Sequence, residues 1–116
     1  EVTVPYDRNP VTVNDGPLTR RLAATFRAWF PADQVKASEP ATYGEDFAEF
    51  GRTTHKVPIS IFWIGGTDPA VMAAAHAKGE PWPSNHSAFW APVPEPTLKA
   101  SVKAMSAAVL DLLAKK

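Results

Sequence analysis

Three short segments carry the side chains able to bind or transform a ligand: Thr42-Tyr-Gly-Glu-Asp46, Gly65-Gly66 and Ser84-Asn-His-Ser87. His86, in the last of them, offers an imidazole that binds first-row metal ions in its neutral form. The stretch from Pro81 to Pro96 contains five prolines, which would hold that ring in place at little further entropic cost. A loop histidine bonded to backbone or water accounts for His86 equally well. A metal site needs about three or more protein ligands, and no local His/Asp/Glu spacing supplies them.

Glu45 and Asp46 form an adjacent carboxylate pair at an expected helix start, where free N–H groups and the helix dipole stabilise negative charge. Capping alone explains the pair; the functional alternative is that one of them fixes the geometry of a substrate-facing loop. Gly65-Gly66 would let a backbone N–H approach a carboxylate or carbonyl oxygen closely, or would simply make a turn. His55 beside Lys56 and His76 on an alanine-rich stretch read as solvated surface. Trp63, Trp82, Phe89 and Trp90 read as packing residues. With no cysteine in the chain, a disulfide scaffold, a thiolate metal site and a Cys nucleophile are excluded within these residues.

These segments need elements to hold them. Glu1-Val-Thr-Val-Pro-Tyr6 alternates like the end of a strand entered partway through a sheet, and Asp7-Arg8-Asn9-Pro10 reads as a turn and a domain boundary. Asn14-Asp15-Gly16-Pro17 supplies caps for a helix from about Pro17 to Phe30, with Leu18, Leu22, Phe26 and Trp29 at helical spacing and Pro31 as its stop. A short strand is expected at residues 34–38 and a short helix through Asp46, Phe47 and Phe50.

Val57-Pro-Ile-Ser-Ile-Phe-Trp-Ile64 is apolar at nearly every position, the pattern of a strand buried on both faces between helices. Asp68 caps a helix over Pro69–Lys78 that Gly79 ends. The clearest element is the last, with Leu98, Val102, Met105, Val109 and Leu112 on one stripe expected to face the core. Strands interleaved with helices predict a layered α/β domain, in which ligands gather at strand ends.

The 116 residues contain 45% hydrophobic residues, a composition that suits one compact globular domain. Lys plus Arg and Asp plus Glu are both 12, so the formal net charge is zero and no basic patch recommends nucleic acid or anionic lipid as a partner. The longest apolar run, Val57–Ile64, is too short to cross a bilayer. With no export signal visible, the cytoplasm is the expected compartment.

Taken in order, Gly44-Glu-Asp-Phe-Ala48, Phe62-Trp-Ile-Gly-Gly66, Asn85-His-Ser-Ala-Phe89 and the terminal amphipathic helix resemble the C-terminal signature of the metal-dependent aminoacylase and hippurate hydrolase family. That wider group includes hydrolases of indole-3-acetate–amino acid conjugates and relatives of carboxypeptidase G. The resemblance runs over nearly the whole chain and rests on the order and spacing of three motifs. Two positions depart from the family pattern: Gly44, preceded by Tyr43, stands in place of a serine, and Ala88 stands where proline usually follows His-Ser.

The resemblance implies the C-terminal segment of a zinc-peptidase-like α/β/α sandwich. Residues 1–10 would close a lid and dimerisation domain, and residues 11–116 would form the last section of the catalytic domain. It implies hydrolysis of N-acyl amino acids or similar small amides by two divalent metal ions, zinc, manganese, cobalt or nickel. His86 would be one metal ligand, and Gly44, Glu45, Asp46, Gly65 and Gly66 would line the substrate. The other ligands and the glutamate general base would lie in an N-terminal half of the same protein, so no catalytic residue is assigned here. That glutamate would deprotonate a metal-bound water for attack on the amide carbonyl. A homodimer through the lid is expected, and the segment alone should be inactive. The competing reading is an independent α/β binding module that uses its aromatic, proline-rich loop as a contact surface.

Overall fold

The computed structural model describes residues 10–41, 45–81, 83 and 85–114. Among the described residues helices make up 52% and strands 0%, so what they form is a small helical fold. The expected α/β sandwich is therefore not what the chain forms. Two compact units divide between Phe62 and Trp63. The strand expected at residues 1–6 and all of the boundary expected at Asp7–Pro10 except Pro10 lie outside the described residues.

In the first unit, α1 spans Gly16–Trp29. Its start follows from local chemistry: Asp15 Oδ1 accepts from the Leu18 N–H at 2.8 Å, and Pro17 occupies a first-turn position where no N–H is needed. Leu22 is its buried residue, 6% exposed. Ala32–Gln34 then makes one 3-10 turn. The strand expected at residues 34–38 is absent: Val35 leaves the turn with extended backbone, but residues 35–40 pair with no neighbouring strand. A short helix, α2, covers Ala48–Arg52 and buries Ala48. Lys56, with φ 46°, turns the chain out of this region in the left-handed conformation.

The apolar segment entering at Val57 explains both what the pattern signalled and why no sheet results. Ser60 Oγ lies 3.1 Å from Thr19 Oγ1 of α1, and the Phe62 ring meets Phe26 of α1 edge-on at 4.9 Å between centroids. Ile59 lies instead against α2, where a Cβ at Gly51 would come within 3.1 Å of Ile59 Cδ1. Side chains alternate along an extended backbone, so Ser60 and Phe62 face α1 and Ile59 faces α2. Helices thus stand on both sides of Ile59–Phe62, but no residue of Val57–Ile64 is buried and Val57 and Trp63 are 50% and 56% exposed, so the expected buried strand does not form.

One edge is met by residues 14–15. The Asp15 N–H donates to the Ile59 carbonyl at 2.8 Å, and the Asn14 side chain bonds both the N–H and the C=O of Ile61. One main-chain bond and one amide side chain do not make a ladder. A single extended segment between two helices is what remains.

In the second unit, α3 spans Pro69–Lys78, capped by Asp68 Oδ1 accepting from the Ala70 N–H at 2.7 Å. It ends at Gly79, whose φ of 67° is the left-handed conformation glycine adopts without Cβ strain. The final helix, α4, covers Pro94–Leu113. Its buried residues are Ala104, Ala107 and Ala108, whereas Leu98, Val102 and Met105 are 63%, 66% and 57% exposed. The expected core stripe is therefore not the packed face. The buried face is the alanine one. Among the described residues no helix is long and apolar enough to cross a membrane.

Candidate functional site

The second unit holds two of the three chemistry-bearing segments. The Val93 N–H donates to the Gly66 carbonyl at 2.8 Å, tying the end of the proline-rich loop to the Gly65-Gly66 turn. A Cβ on Gly66 would meet Pro92 Cβ at 3.1 Å and Trp90 Cζ2 at 3.2 Å. Gly66 is thus glycine because an indole and a pyrrolidine ring lie directly against its α-carbon. Gly65 has open space at the same position, so of the two it is the one whose backbone a ligand can approach.

From Trp90 the loop runs back to the histidine through a tight turn. The Trp90 N–H donates to the Ser87 carbonyl at 3.1 Å, and the Phe89 N–H donates to Ser87 Oγ at 3.2 Å. Ser87, beside His86, is thereby the pivot of the turn. His86 itself is exposed. The structure thus joins Gly66 to the His86 turn through Trp90, Pro92 and Val93, an arrangement nothing in the spacing alone would give. Trp82 and Ser84 lie outside the described residues.

The third segment belongs to the first unit. Glu45 Oε1 accepts from the Phe47 N–H at 3.1 Å, and the Glu49 N–H donates to the Asp46 carbonyl at 3.0 Å. Glu45 thus closes a local turn just before α2 and does not cap the helix, whose N-cap position is Phe47 with no side-chain capping bond. Asp46 is exposed and takes part through its main chain. Gly44 lies outside the described residues. His55 sits exposed in the turn after α2, and His76 is exposed in the last turn of α3.

Among the described residues there is no group of three or more His, Asp or Glu side chains able to hold a metal ion. One imidazole is too few for a zinc-like centre, which takes about four ligands. The described residues therefore do not fit a metal by themselves, and no reaction step can be routed through one here. The open groove on α4, lined by Met105, Ser106, Val109 and Leu110, has a hydroxyl as its sole polar side-chain group and offers no acid, base or ligand set. Asn14 is the residue whose role the sequence concealed, since it reads as part of a capping cluster and instead binds the Ile61 backbone across 47 residues.

Compared with family models, curated proteins and solved structures, the chain matches none.

Proposed function

We propose that this chain is the C-terminal part of a two-metal amidohydrolase that cleaves the amide bond of N-acyl amino acids or similar small amides, to which it contributes His86 as one metal ligand. The reading is supported by the order of Gly44-Glu-Asp-Phe-Ala48, Phe62-Trp-Ile-Gly-Gly66 and Asn85-His-Ser-Ala-Phe89 along the chain. The observation that carries it is the tie between the Gly66 carbonyl and the Val93 N–H, which links the Gly65-Gly66 turn to the end of the loop that bears the exposed His86 imidazole. The remaining ligands and the general base belong, in this proposal, to a preceding part of the same protein, with residues 1–10 closing a lid through which it dimerises. Gly65 and the Glu45–Asp46 entry to α2 are proposed as substrate wall. A cytoplasmic setting belongs to the same proposal.

A second reading, a binding module without catalysis, is favoured by Phe89, 92% exposed at the turn, where an aromatic ring in water suits a contact surface. The two readings separate in the full-length protein, by comparing His86→Ala with His76→Ala. Loss of a metal ligand should lower metal content and cut turnover of an N-acyl amino acid panel by more than about 100-fold, since removing even an outer partner of a ligand typically costs 10–100-fold. His76→Ala should change neither, and circular dichroism should be unaltered in both. Unchanged metal content and turnover in His86→Ala would overturn the hydrolase reading.

A further inference from the structure

The exposed apolar residues of α4 follow a rule. Leu98, Val102, Met105, Val109 and Leu112 are separated by four, three, four and three positions, the heptad spacing that keeps one seam turned toward a partner helix. In heptad lettering Val102 and Val109 are a positions, and Leu98, Met105 and Leu112 are d positions. All five stand in water, from 43% exposed at Leu112 to 66% at Val102. They add little to the fold of one chain, in which α4 is buried through Ala104, Ala107 and Ala108. At about 100° per residue the seam lies roughly 130° round the helix from those alanines. A helix laid along it does not compete with what covers them.

The composition of the seam says what fits. β-Branched residues at a, with leucine or its unbranched equivalent at d, select two parallel strands. A partner of different sequence is chosen through charges at the e and g positions that flank such a seam. Between Leu98 and Leu113 those positions are Lys99, Ser101, Ser106, Ala108 and Leu113. The single charge among them, Lys99, is engaged by Glu95 of its own helix at 2.6 Å. The flanks therefore neither call for a charged partner nor repel a second copy, and a two-fold axis sets each a and d residue against itself. The five seam residues expose on the order of 500 Å² per chain, so a pair covers about 1,000 Å², the size at which an interface becomes specific. Met105, Ser106 and Val109 also border an open groove, and at successive d, e and a positions they form a hollow for a side chain of the facing helix.

We propose that α4 pairs in parallel with α4 of a second copy of this chain, as a short two-stranded coiled coil with Leu98, Val102, Met105, Val109 and Leu112 as its seam. The inference rests on one helix and stands apart from the hydrolase reading and from any pairing through residues 1–10.

The test begins with sedimentation equilibrium of the 116-residue chain, which should pass from one to two chain masses over roughly 1–100 µM, the affinity that a seam near the lower size limit supports. Met105→Glu sets two carboxylates face to face and should weaken the dimer by about 100-fold or more with circular dichroism retained. Leu110→Glu alters a residue that is 60% exposed but off the seam, and should leave the dimer unchanged. The strand direction is read with cysteine, since the chain has none. Leu98→Cys and Leu112→Cys should each give disulfide-linked pairs when oxidised alone, whereas antiparallel helices would link only a mixture of the two. A chain that stays monomeric at every concentration overturns the proposal and leaves the stripe to a partner of different sequence. A trimer or larger assembly, equal loss of association in Met105→Glu and Leu110→Glu, or cross-linking confined to the mixture also overturns it.

Discussion

The Asn14 side chain does for Ile61 what a neighbouring strand would do: Oδ1 accepts from the Ile61 N–H and Nδ2 donates to the Ile61 carbonyl, both at 2.8 Å. Few side chains can substitute, because the arrangement needs a donor and an acceptor on one short, planar group. Asn14→Ala should lower unfolding free energy by about 1–3 kcal/mol, the range for leaving partly buried main-chain groups unpaired. Asn14→Asp keeps the acceptor but sets a carboxylate against a carbonyl, and should also destabilise. Urea unfolding measures the cost, and faster exchange of the Ile61 amide locates it. Wild-type stability in both variants would show that the bracket contributes nothing.

The last helix offers a contrast between its two faces. Val102→Ser and Leu98→Gln remove side chains that are 66% and 63% exposed, and each should change stability by no more than about 0.5 kcal/mol. Ala107→Leu adds volume at a position 1% exposed and should cost about 1–3 kcal/mol. Thermal or urea unfolding of the three variants decides between this pattern and its reverse, which would follow if the leucine and valine stripe were the packed face.

Gly65 and Gly66 should respond differently to the same change. Gly66→Ala must displace Trp90 or Pro92, with contacts at 3.2 Å and 3.1 Å, and is expected to cost about 1 kcal/mol or more and to shift the Trp90 indole resonance. Gly65→Ala meets nothing within 4 Å and should leave both unchanged. If the hydrolase reading holds, Gly65→Ala in the full-length protein should raise KM with little effect on stability, because its backbone is the approachable one.

What the sequence made legible was local. The starts of α1 and α3 could be read because each is fixed by an aspartate cap and a first-turn proline within a few residues, and the end of α3 by Gly79. The apolar run at Val57–Ile64 announced a strand buried on both faces, and the structure has neither the strand nor a buried residue there, only helical contacts on the two sides of Ile59–Phe62. It could not announce a sheet, since a ladder depends on a partner strand that periodicity within one segment does not reveal. The error at α4 has a similar origin. A stripe of large apolar residues is the usual sign of a core face, but the buried residues of α4 are Ala104, Ala107 and Ala108 on another face, and the sequence of one helix does not show which of its faces is covered.

At the site, Glu45 was legible as a residue that bonds nearby backbone, because its carboxylate needs to reach only the Phe47 N–H, two residues on, but that bond lies ahead of α2 and is not the helix cap its position suggested. The join between Gly66 and Val93 spans the whole of α3 and the proline-rich loop. No spacing rule encodes a tie of that length. His86 was found by residue type alone, and the partners that would make it a ligand are not among its sequence neighbours.

The span of the Asn14–Ile61 bracket also bears on how fast the first unit assembles. Its two ends are 47 residues apart, and closing a chain of that length costs about 3 kcal/mol of loop entropy beyond a constant term. The α1 helix can form on its own within about a microsecond, with both its cap and its proline in place. Gripping the apolar segment must wait for the longer search. Between those two events Ile59, Ile61 and Phe62 remain in water, and it is in that interval, before Asn14 closes on Ile61, that the chain is most exposed to association with its neighbours.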